Sequence, residues 1–482
     1  MDAQDQGPSP ATPPPPPSTP PIAPAPQATG RFARWWASIP NRREVLAWGM
    51  YDLANQSFTL IIVTLFFPIY LSQRIAATPE EGERSWGFAV GASSLVVVIL
   101  GPIVGALADF GGRKKAWLTR LAVGCSAFTV ALAFVGQGDV GLAIGLFIVA
   151  NMMFMAGENF LAAFLPEIAD RDNLSRVSAI GWTMGYLGAM IVLPIAAVIL
   201  IASGQSDTGF RIVFAFAGLW FLINAIPTMR ILRERKAAET LPPGQTLWTI
   251  GFVRLWDSAR SIGLYRSLAV FLLSFLVYSC GMSIIIAFAG VIAYKYLGAG
   301  ALFLGFCWLL SFVAGVGSLT TGFIQHRVGY VATVAVSLVI WILTTVGAAL
   351  LPPPPADPGN APIPLLLWFV GLGVGLGLGL TGNASRTVVG VFTPAHKTAE
   401  FFGLWGLGYK LASVVAPPLY ALISTSYGTP AGMAFTAAFF VIGLAILPFV
   451  NTPRGKGAVR LADRRFRASM LGKPPVPGPQ NP

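Results

Sequence analysis

The chain has 482 residues, 55% of them hydrophobic and only 11% charged, with a formal net charge of +12. Soluble domains carry about 25% charged residues, so a water-facing surface of this size could not be covered. The mean hydropathy of +0.68 points the same way, and lipid is the expected solvent for most of the chain.

The three cysteines (Cys125, Cys280, Cys307) lie in apolar runs, and the two histidines (His326, His396) in short polar connections. The sequence contains no disulfide framework, no zinc motif, no Ser-His-Asp pattern and no G-x-x-x-x-G-K-[ST] loop. No catalytic residue, cofactor or metal is therefore expected.

Residues 1–30 form a proline-rich tail with Pro13 to Pro17 in one run. It is expected to be disordered with polyproline-II character. It lacks the apolar core of a signal peptide, so no cleavage is expected. Twelve apolar segments follow, each long enough for the ~20 residues that cross a bilayer. They run approximately over 46–71, 86–108, 116–136, 140–165, 177–202, 210–230, 267–293, 300–324, 330–351, 363–391, 401–424 and 430–450. The runs are continuous rather than alternating, which predicts helices and not a barrel. The fold class expected is an all-α membrane protein of twelve transmembrane helices in two six-helix bundles. Its plan is a tail (1–45), a first bundle (46–231), a linker with an amphipathic piece from Leu247 to Leu264 (232–266), a second bundle (267–450) and a basic tail (451–482).

Lysine and arginine set the orientation. With the first residue inside, 25 of the 32 fall in inner segments, four in outer ones (Arg74, Arg84, Arg211, Lys295) and three within spans (Arg120, Arg386, Lys410). The positive excess is thus accounted for by topology and an anionic inner leaflet. Nucleic acid is not an expected partner, and both termini are expected in the cytoplasm.

The halves echo one another. Gly105-Ala-Leu-Ala-Asp109-Phe-Gly-Gly112 follows the second span, and Gly322-Phe-Ile-Gln-His326-Arg-Val-Gly329 follows the eighth. Trp182-Thr-Met-Gly185-Tyr186 opens the fifth span, and Trp405-Gly-Leu-Gly408-Tyr409 the eleventh. Parallel repeats of this kind predict a rocking transporter with a central cavity.

The stretch Gly105 to Lys115 resembles the signature loop of the major facilitator superfamily, matching it at Gly105, Asp109, Gly112, Arg113 and Lys114. Trp48-Gly-Met-Tyr51-Asp52-Leu-Ala54-Asn55 resembles the opening of the vacuolar-effluxer-like branch, named for an autophagy-related amino-acid exporter of yeast. Phe164 to Glu167, Arg176-Val177-Ser178, Gly181-Trp182, Gly185-Tyr186, Ser385-Arg386 and Ala399 to Gly403 resemble later parts of that branch. Leu53 and Leu161-Ala162 depart from it, at places expected near the cavity. The resemblance implies a major facilitator fold and export of amino acids or similar small solutes.

A charge in the bilayer centre costs about 2.5–3.5 kcal/mol on insertion scales, so each one is a site candidate. Asp52 shares a helical stripe with Asn55, Gln56 and Thr59, with Trp48 one turn earlier. Glu158 lies seven residues after Asn151. Asp52 and Glu158 are the expected proton-linked acids, with an interhelical structural bond, such as Glu158 to Arg120, as the alternative. Lys410, beside Tyr409, is the expected contact for a substrate carboxylate. Arg386, three residues after Asn383, either joins it or snorkels. The candidate substrate-binding set is Trp48, Asn55, Gln56, Asn151, Asn383, Arg386, Trp405, Tyr409 and Lys410. Gly105, Asp109, Gly112, Arg113 and Lys114 are expected to act as a conformational latch. The glycines of the tenth span imply close packing or a hinge.

The function expected is alternating-access transport of a small zwitterion, with proton coupling and export favoured. A multidrug exporter and a non-transporting membrane sensor or scaffold are the alternatives. The expected partners are a small-molecule solute, protons and the bilayer, with the chain a monomer in a bacterial inner membrane.

Overall fold

The computed structural model describes residues 39, 41–169, 173–235, 241, 243–298, 300–358 and 362–470. The proline tail and the last twelve residues of the sequence lie outside the described residues.

Among the described residues, twelve helices are long and apolar enough to cross a bilayer. They are span 1 (Arg42–Ile75), span 2 (Pro79–Phe110), span 3 (Lys114–Phe134), span 4 (Val140–Leu165), span 5 (Arg176–Ala202) and span 6 (Asp207–Ile231). The second half supplies span 7 (Arg266–Leu297), span 8 (Ala301–Gln325), span 9 (Tyr330–Ala349), span 10 (Leu365–Phe392), span 11 (Glu400–Tyr427) and span 12 (Thr429–Phe449). Helix is dictated by the solvent, since hydrocarbon offers no partner for a backbone N–H or C=O. Among the described residues, two further α-helices lie outside the spans: a linker helix, Leu247–Ser261, and a C-terminal helix, Thr452–Met470.

The packing repeats between halves. Span 1 packs on spans 5 and 6, span 2 on 4, and span 3 on 4 and 6. Span 7 likewise packs on spans 11 and 12, span 8 on 10, and span 9 on 10 and 12. The sequence echo has a structural basis at its last residue. Gly112 (φ 62°) and Gly329 (φ 96°) both turn the chain through the left-handed region, where a side chain is strained.

Among the described residues, the most extensive packing between the halves joins span 2 with 11, span 5 with 8, and span 1 with 7. The joint is tight at the face where the first span ends, called here the far face. A Cβ at Gly87 would lie 2.6 Å from the Ala421 Cβ and 2.9 Å from the Pro417 carbonyl oxygen. One at Gly91 would lie 2.8 Å from the Val414 carbonyl oxygen. On span 7, a Cβ at Gly290 would meet the Thr64 carbonyl oxygen and lie 2.8 Å from the Leu65 Cα. Polar contacts finish the closure. Trp86 Nε1 donates to the Ala287 carbonyl (2.9 Å), Lys295 pairs with Glu83 (2.6 Å), and Arg84 Nε donates to Thr425 Oγ1 (2.8 Å).

The opposite face, where the first span begins, is called here the entry face. There the same stripes part. Gly101 and Gly105 lie 14 residues beyond Gly87 and Gly91, on the same side of span 2 at 3.6 residues per turn. A Cβ at either meets nothing within 4 Å, and the same holds for Gly403 and Gly406 of span 11. The halves are therefore closed at the far face and splayed at the entry face.

Candidate functional site

Span 1 carries the polar stripe. Asp52, Gln56 and Thr59 are half-buried, while Asn55 is fully buried. The helix widens into π turns over Ser57–Leu65, which take in Thr59 at the end of this stripe; such turns recur at functional sites. Gly181 and Gly185 of span 5 make room for it. A Cβ at Gly181 would run into the Asp52 carboxylate and lie 2.6 Å from the Trp48 ring, and one at Gly185 would lie 3.2 Å from Gln56 Nε2. Trp48 is fixed by its Nε1, which donates to the Leu161 carbonyl at 3.0 Å. Asn55 Nδ2 donates a hydrogen bond to Glu158 Oε1 of span 4.

The second half meets this wall with cations. Lys410 Nζ of span 11 donates to Asn159 Oδ1 of span 4 at 3.2 Å, next to Glu158. Lys410 is also near enough to Glu158, and Arg386 of span 10 to Asp52, for charge to act between them without a direct ion pair. Two acids of the first half and two bases of the second thus converge on the space between the halves.

Asn151 is placed elsewhere. It is buried and donates to Ser93 Oγ of span 2 at 2.9 Å, a bond within the first half. Asn383 Nδ2 donates to the Ser318 carbonyl at 3.0 Å, joining spans 10 and 8. Trp405 packs on Phe275 with ring centroids 5.3 Å apart, and its buried Nε1 has no partner. Tyr409 lies one residue before Lys410 on span 11, and its carbonyl accepts from Ser413 Oγ at 3.0 Å. Arg120 stands over the Trp117 ring, 5.3 Å from its centroid. Leu53, expected near the cavity, instead packs its backbone on Gly188 of span 5. Leu161 is buried, with its carbonyl engaged by Trp48.

Three residues outside the candidate set belong here. Asn159 bridges the halves, and Gly181 admits Asp52. Tyr51 is fully buried with an unpartnered hydroxyl, close enough to span 4 that a Cβ at Gly157 would lie 2.6 Å from it. Its position inside the W-x-x-Y-D stretch was the one available signal.

The signature loop divides. Asp109 Oδ2 accepts from Arg254 Nη1 of the linker helix at 3.1 Å, and that guanidinium lies over Phe110 at 4.5 Å. Gly251 of the same helix sits against the Pro102 carbonyl, and Ser258 Oγ reaches Glu400 Oε2 of span 11 at 3.5 Å. Lys114, by contrast, is buried and pairs with Glu167 of its own half at 2.6 Å. Glu167 also accepts from the Arg235 backbone N–H (2.7 Å), and Arg235 pairs with Glu44 (2.7 Å). Lys114 therefore ties the ends of the first bundle together, while Asp109 holds the linker helix. Exposed ion pairs are worth about 0–1 kcal/mol. Asp109→Asn is accordingly expected to lower the unfolding free energy by less than about 1 kcal/mol, as read by thermal unfolding in detergent.

Among the described residues no cluster of histidine, cysteine, aspartate or glutamate is arranged to hold a metal.

Comparison with known proteins places this architecture. Residues 87–460 match the family described as vacuole effluxer Atg22 like. The MFS-type transporter YxiO of Bacillus subtilis is 26% identical over 415 residues, covering 84% of this chain and 94% of that protein. Autophagy-related protein 22-1 of Aspergillus niger is 24% identical over 65% of this chain, and the match spans about half (53%) of that longer protein. Among solved structures, the nucleoside transporter NupG superposes with a TM-score of 0.58 at 14% identity, over 85% of this chain and 98% of NupG. A bacterial homologue of the human lysosomal transporter Spinster gives 0.59 at 12% identity, over 85% and 95%. Those likenesses establish the major facilitator fold that the twelve helices and their paired packing describe. The chain belongs to the vacuole effluxer Atg22-like family of major facilitator transporters.

Proposed function

We propose that the protein exports a small zwitterionic solute, an amino acid or a close analogue, from the cytoplasm with protons as the coupling ion. The observation that carries this reading is the Lys410–Asn159 bridge beside Glu158, repeated in sense by Arg386 facing Asp52. A zwitterion offers a cation to the acids and an anion to the bases, so it can replace these cross-half attractions one for one. A neutral solute cannot. A proton taken up by either acid would free the cation it faces, which gives the exchange a coupling route. The family's description, vacuole effluxer Atg22 like, favours efflux as the direction.

The entry face is assigned to the cytoplasm on the lysine and arginine bias. The conformation described is then open inward and sealed outward. In this reading the two bundles (46–231 and 267–450) rock about Asp52, Glu158, Arg386 and Lys410. Trp48, Gln56, Trp405 and Tyr409 flank the solute, and Asn55 and Asn383 brace their neighbours. Asp109 with Gly105, Gly112 and Arg113 gates the entry face. The protein works as a monomer in a bacterial inner membrane.

The test is a flux screen in proteoliposomes with radiolabelled amino acids, nucleosides and lipophilic cations, with and without a pH gradient. Amino-acid flux driven by the gradient is the expected result. Flux of lipophilic cations alone would establish the multidrug alternative, and absence of any flux would favour a sensor.

A further inference from the structure

The linker helix carries a face that the central site does not use. Thr246 caps its start by accepting the Thr249 N–H, so the helix begins at Leu247 on its own local chemistry. Ile250, Gly251 and Ser258 are buried on one side. Trp248, Phe252 and Trp256 stand on the other, each about one turn from the next, and are 61%, 44% and 60% exposed. Val253, and Leu264 in the turn that follows, widen the same apolar surface. Rings of this size offer about 150–250 Å² each, and several together make a patch that water-facing surfaces rarely keep.

The depth of the helix tells what covers this patch. A Cβ at Gly251 would run into the Pro102 carbonyl oxygen and lie 2.7 Å from its carbon, so the linker helix rests backbone to backbone on span 2. Span 2 has 32 residues and is about 48 Å long at 1.5 Å per residue. Centred on a hydrocarbon layer of about 30 Å, it overhangs by about 9 Å at each end. Pro102 lies about 12 Å along the axis from the end at Phe110, which puts the Gly251 contact at the hydrocarbon boundary. The position is also continuous with the lipid-facing belt. Phe88, Leu95 and Ile99 form an exposed apolar stripe on span 2, and the linker helix lies where that stripe runs on to Pro102 and Ile103. Arg260 stands over Trp256, 5.0 Å from the ring centroid. Tryptophan sits at headgroup level in membrane proteins, and an arginine stem beside it carries its charge out to the phosphates.

We propose that the linker helix docks on the lipid leaflet at the entry face. Trp248, Phe252 and Trp256 enter the boundary between acyl chains and headgroups, and Arg260 meets the phosphates. The same helix is seated on span 2 through Gly251 and Arg254, and its Ser258 reaches Glu400 of span 11. Both halves are thereby held to one leaflet at the face where they are splayed.

The test is a spin-label depth measurement on the full chain in nanodiscs of phosphatidylcholine and phosphatidylglycerol. Cys125 and Cys307 are buried, and the half-buried Cys280 is replaced by serine, which can still donate to the Leu276 carbonyl. A nitroxide is attached at Phe252→Cys or Trp248→Cys on the ring face and, as the control, at Asp257→Cys, turned away from the rings. All three positions are exposed, so the labels leave the core intact. Electron paramagnetic resonance compares collisions with oxygen, which partitions into acyl chains, and with a neutral nickel chelate, which stays in water. The oxygen-to-nickel ratio is expected to be severalfold higher at Phe252 and Trp248 than at Asp257. Equal ratios at the three positions overturn the proposal, because the helix would then have no lipid-facing side. Protection of Phe252 and Trp248 from both reagents also overturns it, because protein and not lipid would cover the rings.

Discussion

Lys410→Met is expected to lower solute flux by about tenfold to a hundredfold while the protein still folds and elutes as one species. Lys410 holds Asn159 across the interface at 3.2 Å and is the cation that faces Glu158. Removing Lys410 leaves the Asn159 acceptor and a nearby carboxylate without their cation, and a buried polar group left unsatisfied costs about 1–3 kcal/mol. At 1.4 kcal/mol per tenfold, that spans roughly 5-fold to 150-fold. The loss falls on flux in two ways: a substrate carboxylate loses its cation, and Glu158 is left without a facing charge. The double variant Lys410→Met/Glu158→Gln separates these. Replacing both charges removes the unpaired ion and is expected to return thermal stability toward that of the parent, without returning flux. If flux in Lys410→Met equals the parent in the proteoliposome assay, the zwitterion reading is lost. A double variant as unstable as the worse single one would show that the two side chains do not act as a pair.

Much of this could be read before any coordinates, for reasons that differ by element. The spans were legible because hydrocarbon demands about 20 apolar residues in a row, and the twelve segments were located from that alone. Their ends were not. Span 2 was expected to begin at residue 86, but the helix starts at Pro79. Thr78 accepts the Glu81 N–H at its start, and Glu80 and Glu81 fill the first turn. Caps and first-turn acids stabilise helices through the backbone and are invisible to hydropathy.

The site was legible where it follows a single helix. Asp52, Gln56 and Thr59 sit on one half-buried stripe, as their spacing implies. It was illegible where it depends on contacts distant in sequence. Nothing in the spacing of Lys410 and Asn159, 251 residues apart, indicates their bond. The same limit explains Asn151. Its spacing from Glu158 is helical, but its partner Ser93 lies on another span, so only the packing reveals that its amide is already engaged. The repeat, too, preserves positions rather than surroundings: Trp182 is 45% exposed, while its counterpart Trp405 packs on Phe275.

The glycines at the far face carry the second large prediction. Gly290→Val is expected to shift the protein away from the sealed state described here by about 5- to 150-fold. A side chain at Gly290 would be driven into the backbone of Thr64 and Leu65 in span 1. Backbone cannot rotate aside, and overpacking of this kind typically costs about 1–3 kcal/mol. That cost exists only while spans 1 and 7 touch, so it acts on the equilibrium between conformations. Gly87→Val, against Pro417 and Ala421 of span 11, should shift it in the same direction. Gly105→Val provides the opposite sign. It meets nothing within 4 Å in this conformation, but it lies on the stripe of span 2 that must approach span 11 for the entry face to close. The readout is the rate at which an impermeant thiol reagent labels a cysteine introduced at Thr425 on the far face. Faster labelling in Gly290→Val and Gly87→Val, with slower or unchanged labelling in Gly105→Val, is expected. Equal rates in all three would mean that these close approaches hold the bundles together without choosing between their arrangements.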